Sequence, residues 1–221
     1  MSKKQTLLII QPGRNGDIII CLPIANYYSR EFNVYWLCPD EYHPMFSYVD
    51  YCTPVSKDSG GYDVIIDLSF GFGGKPEKWW QETMHTWDSF VTAKYHLADV
   101  PVEEKWNLQW NRKKSKEDSL YDLIVGKKKY IVVHDSGSYG RIPLNIDSGF
   151  DVIVFSPIEN YTVFDWYKVL MSAEEIHCVD SLLLNFVDSC VYGPKKIFHD
   201  VRNSNKVFNT LIKKNEWKVT C

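Results

Sequence analysis

The run Thr6–Gln11, TLLIIQ, is apolar at every position between its ends. A strand with one wet face alternates apolar and polar residues, whereas a run without alternation is buried on both faces, as in a parallel sheet covered by helices. The turn-forming segment PGRNGD follows at once. Apolar residues at helical spacing then predict a helix over Ile18–Arg30, and further strands are predicted at Asn33–Cys38 (NVYWLC) and Tyr62–Leu68 (YDVIIDL), with a short helix or turn at Met45–Val49. Strand, helix and strand in alternation restrict the chain to an α/β layer structure with right-handed crossovers.

The same alternation returns later. Phe70–Pro76 is a loop with three glycines, Glu77–Leu97 a long helical candidate rich in Trp and His, and Pro101 a breaker. The polar, charged stretch Pro101–Lys116 has no clear period and marks a domain crossing. Strands are then predicted at Tyr130–His134, Asp151–Phe155, Glu175–Val179 and Lys196–His199. Helices are predicted at Val163–Ala173, Leu182–Cys190 and Asn205–Lys214. A chain of 221 residues has room for two small domains, so the expectation is an N-terminal domain over 1–116 and a C-terminal one over 117–221. Ligands of such sheets bind at the carboxyl ends of the strands. In a two-lobed protein those ends would face one central cleft.

Composition removes several function classes. A net charge of −3 provides no global positive field to recruit nucleic acid. Two local basic clusters, Arg112–Lys116 and Lys127–Lys129, read as solvated surface or as a patch for an anionic acceptor. None of the six cysteines forms a CxxC pair, and no His/Cys cluster has zinc spacing. Cys21, Cys38, Cys178 and Cys190 lie in apolar runs and read as buried thiols. No stretch approaches the roughly 18 consecutive apolar residues of a membrane span, and the first apolar run is too short for a signal peptide. A cytoplasmic protein is therefore expected.

Four constellations could carry chemistry. The first is Gly13–Asp17 (GRNGD), which is neither GxxxxGK[ST] nor GxGxxG. Gly16 permits a tight turn, Asn15 lies beside it, and Asp17 reads as a helix N-cap or as a carboxylate that takes a proton from an acceptor hydroxyl, kept ionised by the helix N-terminus. The second is Asp180 and Ser181, where a strand ends and a helix begins; they cap the helix or line an anion site suited to a diphosphate. The third is the loop Asp135–Arg141 (DSGSYGR), in which Ser136 and the glycines allow backbone to approach phosphate and Arg141 could neutralise it. The fourth is Ser156–Tyr161, where Glu159 could accept hydrogen bonds from two ribose hydroxyls. His134 and His177 lie in strands and read as core or edge residues. His85 and His96 share a helix without a third ligand, so no metal site is expected. The loop Gly71–Lys75 is a weak phosphate-loop signal that could instead line an acceptor.

At these residues the sequence resembles a known family. RNGDIIICLPIANYY, with Gly16, Asp17, Leu22 and Pro23 in order, is similar to the opening of the heptosyltransferase-like glycosyltransferases of family 9. YHLADVPVEEKWNL resembles the end of that family's N-terminal domain, YIVVHDSGS the start of its nucleotide-binding domain, and DWYKVLMSAEEIHCVDSLLLNFVDS its donor-binding end. The resemblance implies a GT-B-like fold of two Rossmann-like α/β domains. It also implies a hexosyl- or pentosyltransferase that works with inversion and without metal or other cofactor, with a nucleoside diphosphate sugar as donor. Asp17 would be the base, Ser181 and the neighbouring backbone would hold the diphosphate, and Arg141 would meet the charge of the leaving group. The acceptor would be a glycan or lipid-linked saccharide.

The chain departs from that pattern in length, in having no room for a helix between Arg141 and Asp151, and in carrying Leu184 or Asn185 where a His often stands. Two further readings follow. A phage-type enzyme acting on a modified DNA base would use the aromatic stretch Trp79–Trp87 and the basic clusters. A non-catalytic sugar-nucleotide-binding protein would fit the shortened second half. A dehydrogenase lacks its GxGxxG.

Overall fold

A computed structural model describes residues 4–69, 89–126, 128–137, 140–201 and 212–220. They fall into two units that divide between Asn111 and Arg112. The loop Phe70–Pro76, the stretch Trp79–Trp87, His85, Lys127 and most of the expected helix Asn205–Lys214 lie outside the described residues.

The first unit is built on β1 (Gln5–Ile10), α1 (Asn15–Ser29), β2 (Phe32–Leu37), a short α2 (His43–Phe46), β3 (Cys52–Val55), β4 (Val64–Asp67) and α3 (Phe90–Leu97). Its strands are parallel in the order β3-β2-β1-β4. Leu7, Leu8 and Ile9 of the central β1 are fully buried, as the unbroken apolar run requires. α1 is apolar on every side from Ile18 to Ala25 and is buried over that whole length. β3, which contains Pro54, was not expected from sequence. It is an edge strand, where the missing N–H is tolerated.

Two local expectations are corrected. α1 starts at Asn15, and its first bond runs from the Ile18 N–H to the Arg14 carbonyl at 3.1 Å. Arg14 is therefore the N-cap, Asp17 stands inside the first turn, and Gly16 is helical rather than part of a turn that needs glycine. The described helix before Pro101 starts at Phe90, because Ser89 is an extended N-cap whose hydroxyl accepts from the Thr92 N–H at 3.0 Å. A single helix over Glu77–Leu97 is thereby interrupted.

The second unit contains α4 (Lys114–Ile124), β5 (Tyr130–His134), a two-rung hairpin of β6 (Ser136–Gly137) and β7 (Gly140–Arg141), β8 (Asp151–Val154), α5 (Tyr167–Met171), β9 (Glu175–Cys178), α6 (Leu182–Cys190), β10 (Lys195–His199) and β11 (Trp217–Thr220). The five strands outside the hairpin are parallel in the order β11-β10-β9-β5-β8. β5 is buried at every residue, and Leu183, Leu184, Phe186 and Val187 of α6 are fully buried. No helix joins β5 to β8 among the described residues. Val152 and Val154, on one face of the edge strand β8, are left 54% and 43% exposed. α4 and β11 were missed in the sequence. α4 begins inside the charged stretch, where the bidentate Arg112–Glu117 pair at 2.9 and 2.6 Å sets its start. β11 is only four residues long.

Candidate functional site

In each unit the strand order reverses beside its first strand, between β1 and β4 in one and between β5 and β9 in the other. Successive connections diverge to opposite faces at such a point and leave a crevice outside the carboxyl ends of the strands. The principal sequence candidates fall at these two places.

In the first unit, β1 runs into Gln11, whose fully buried amide donates to the Leu68 carbonyl at 3.1 Å and accepts from the Gly13 N–H at 3.1 Å. This clamp ties the end of β1 to the end of β4 and sets the path of the loop into α1. Asn15 is exposed, Gly16 half-buried, and Asp17 16% exposed at its side chain. The Asp17 carboxylate lies 3.8 Å from the ammonium of Lys94 on α3, which is 0% exposed. Lys94 also donates to the Leu68 carbonyl at 2.9 Å and lies over the Phe90 ring at 4.4 Å. Burial pushes the Asp17 carboxyl above its ordinary range, and the Lys94 and Arg14 charges pull it back. Burial likewise lowers the Lys94 ammonium, against the pull of Cys21, Asp17 and Asp67.

Sequence reasoning missed Lys94. The available signal was its place in the stripe Val91, Lys94, Tyr95, Ala98, whose other members are all buried. A lysine on the apolar face of a helix needs a reason to be there.

In the second unit, His134 ends β5 and Ser181 precedes α6. His134 Nδ1 lies 2.7 Å from the Ser181 hydroxyl. Ser181 is extended and makes no side-chain cap bond to α6, so its hydroxyl is committed to His134 and not to the helix's first N–H groups. The expected capping role is therefore replaced by a cross-strand contact. Burial pushes the His134 imidazole down to about 4, with Asp135 opposing weakly, and it is neutral at pH 7. Asp180 is half-buried beside Ser181.

Ser136 faces Arg141 across the β6–β7 hairpin, where Gly140 has φ +100°, a backbone conformation that favours glycine. The Arg141 Nε donates to the buried Asp135 carboxylate at 2.8 Å, and the Arg141 side chain is exposed. Glu159 is exposed before the positive-φ Asn160. Among the described residues no hydrogen bond or ion pair joins Glu159 to the other candidates. No three His, Cys, Asp or Glu side chains among the described residues converge as metal ligands. His177 and His199 contact one another at 3.0 Å. The basic clusters are offset by carboxylates: Arg112 by Glu117, Lys128 by Asp151 and Lys129 by Glu174.

Solved structures are similar to this chain in fold. The ADP-heptose LPS heptosyltransferase II of E. coli superposes with a TM-score of 0.54 at 11% identity, over 98% of this chain and 90% of that one. A glycosyltransferase of family 9 from Veillonella parvula DSM 2008 gives 0.57 at 9% identity, over 98% and 85%. The fold is GT-B-like. The iron-containing dodecameric glycosyltransferase TibC from enterotoxigenic E. coli H10407 gives 0.55 at 10% identity, over 89% of this chain and 58% of that chain. No family model and no curated protein matches the sequence. At these identities the likeness is one of GT-B-like architecture, and chemistry must be argued from the residues. No described helix is long and apolar enough to cross a membrane.

Proposed function

We propose that the chain is a glycosyltransferase that moves a sugar from a nucleoside diphosphate sugar to an acceptor hydroxyl, with inversion and without a metal ion. The observation that carries this reading is Asp17, a carboxylate held beside a buried ammonium at the switch point of a GT-B-like unit. In this mechanism Asp17 takes the proton of the acceptor hydroxyl as its oxygen attacks the anomeric carbon. The bond from that carbon to the diphosphate breaks in the same displacement. The departing charge is met by the N–H groups at the start of α6 and by Arg141. The Ser181–His134 contact supports this role, because it turns the serine hydroxyl away from those N–H groups. Ser136 and Asp180 flank the same strand ends, while Glu159 is proposed to bind the donor's ribose. Asn15 and Gly16 flank the base. The structural neighbours named as heptosyltransferase and family 9 glycosyltransferase support a sugar nucleotide as donor and a glycan as acceptor.

The test begins with a thermal-shift panel of nucleoside diphosphates and their sugars. A ligand that binds only the folded state raises the melting temperature by mass action. One diphosphate should stabilise the protein, and Asp17→Asn should keep that stabilisation while losing transfer by about 100-fold or more. An Asn variant that transfers at the native rate removes Asp17 as the base. Stabilisation by a diphosphate without turnover on any acceptor would instead make this a binding protein.

A further inference from the structure

A lysine with 0% of its side chain exposed is anomalous wherever it occurs. Charge removed from water is costly, and an isolated buried ammonium sheds its proton. Lys94 sits on α3, and the groups that face it come from two other elements. α1 supplies Asp17 and Cys21, and β4 supplies Asp67 together with the Leu68 carbonyl that follows it. Cys21 is fully buried and its thiol is pushed up to about 12, so it is neutral at pH 7. The two carboxylates are therefore the groups able to hold the ammonium charged. Arg14 acts on Asp17 from the exposed N-cap of α1. Gln11 shares the Leu68 carbonyl with Lys94 and so braces the ammonium against β1 and β4 together.

We propose that Lys94 is a positioning residue whose buried ammonium, anchored on the Leu68 carbonyl, holds the Asp17 carboxylate in its place and charge state at the first switch point. The inference rests on the reading of Asp17 as the base. The separation of 3.8 Å is that of an ion pair rather than a short hydrogen bond. Lys94 thus acts on the carboxylate by charge and leaves its lone pairs available for an incoming proton. Asp17 in turn is under two opposed influences. Burial favours its protonated form, which is useless as a base, and the ammonium opposes that preference. Without Lys94 the burial remains and the compensation is gone. The acid limb of the rate profile should then move towards neutrality.

The experiment is a carboxyl-carbon NMR titration of Asp17 in the full chain, with the resonance assigned by Asp17→Asn. In Lys94→Met the Asp17 midpoint should rise by at least one pH unit, and the acid limb of kcat/KM should rise with it. The thermal shift given by the donor diphosphate should be unchanged. A folded Lys94→Met variant whose Asp17 midpoint stays at the native value overturns the proposal. Should Lys94→Met fail to fold, the reciprocal measurement serves, because coupling between two sites is symmetric. Asp17→Asn must then lower the midpoint of the Lys94 ammonium, followed through its Nζ resonance, by a like amount, and an unmoved Lys94 overturns the proposal. These titrations need no turnover. Absent coupling with an inactive Asp17→Asn overturns Lys94 alone. Full coupling with an active Asp17→Asn overturns the base reading and the positioning role with it.

Discussion

Acidification should destabilise the second unit, and His134 should carry a separable part of the loss. Its ring is 8% exposed, lies edge-on to Phe155 at 4.9 Å between centroids, and contacts the Ser181 hydroxyl at 2.7 Å. Burial holds its proton affinity down to about 4 against an ordinary value of 6.5, and the neighbouring Asp135 charge offsets only part of that. The unfolded chain therefore binds a proton between these values while the folded chain does not. The contribution of His134 is complete above pH 6.5 and is lost as the pH falls towards 4. The gap converts to about 3 kcal/mol over the window, a large share of the total stability of a typical domain. His177 and His199 are also lowered by burial and act in the same direction, so the native curve alone does not isolate His134. The perturbation is His134→Gln, which retains a hydrogen-bonding group towards Ser181 and removes the titration. Urea unfolding of both proteins from pH 7 to 4 should show the native chain losing about 3 kcal/mol more than the variant. The His134 ring resonance should titrate near 4. Parallel stability curves, or a midpoint near 6.5, would refute the reasoning.

Two more substitutions test contacts inside each unit. Asp188 on α6 is buried, and its Oδ1 accepts from the Trp217 indole N–H and from the Lys213 N–H, both at 2.9 Å. Asp188→Ala leaves both donors without that acceptor and should cost about 3 kcal/mol in urea unfolding, with a change in Trp217 fluorescence; a loss within measurement error would show that β11 is not held through this carboxylate. Tyr95→Phe removes a hydroxyl that donates to the Ile20 carbonyl at 2.8 Å, beside the gap that Pro23 leaves in the α1 ladder. The expected loss is about 1 to 2 kcal/mol, and an unchanged urea midpoint would mean that the carbonyl finds another donor.

Much of the fold was legible because the first strand of each unit is buried on both faces. β1 and β5 are runs whose burial is written into their composition, and α6 was predicted at its observed bounds, Leu182–Cys190. The failures have local causes. β3 is short and contains Pro54, and charge disguised α4, in which Glu117 and Leu120 are the buried residues. The start of α1 was set too late because Gly16 was read as a turn residue, although a glycine in the first helical turn is also permitted. That error made Asp17 a cap, whereas the structure makes it a first-turn carboxylate.

The sequence by itself determined where strands and helices occur and which loops follow strands, since periodicity and turn residues act over a few positions. It also brought Asp17 and Ser181 forward, because each stands where a strand gives way to a helix. It did not decide their partners. Lys94 meets Asp17 because β4 lies beside β1 and α3 follows β4 in the chain. His134 meets Ser181 because β9 lies beside β5. Strand order is a property of the assembled sheet, so the charged partner of the Asp17 carboxylate and the direction of the Ser181 hydroxyl were settled only by tertiary structure.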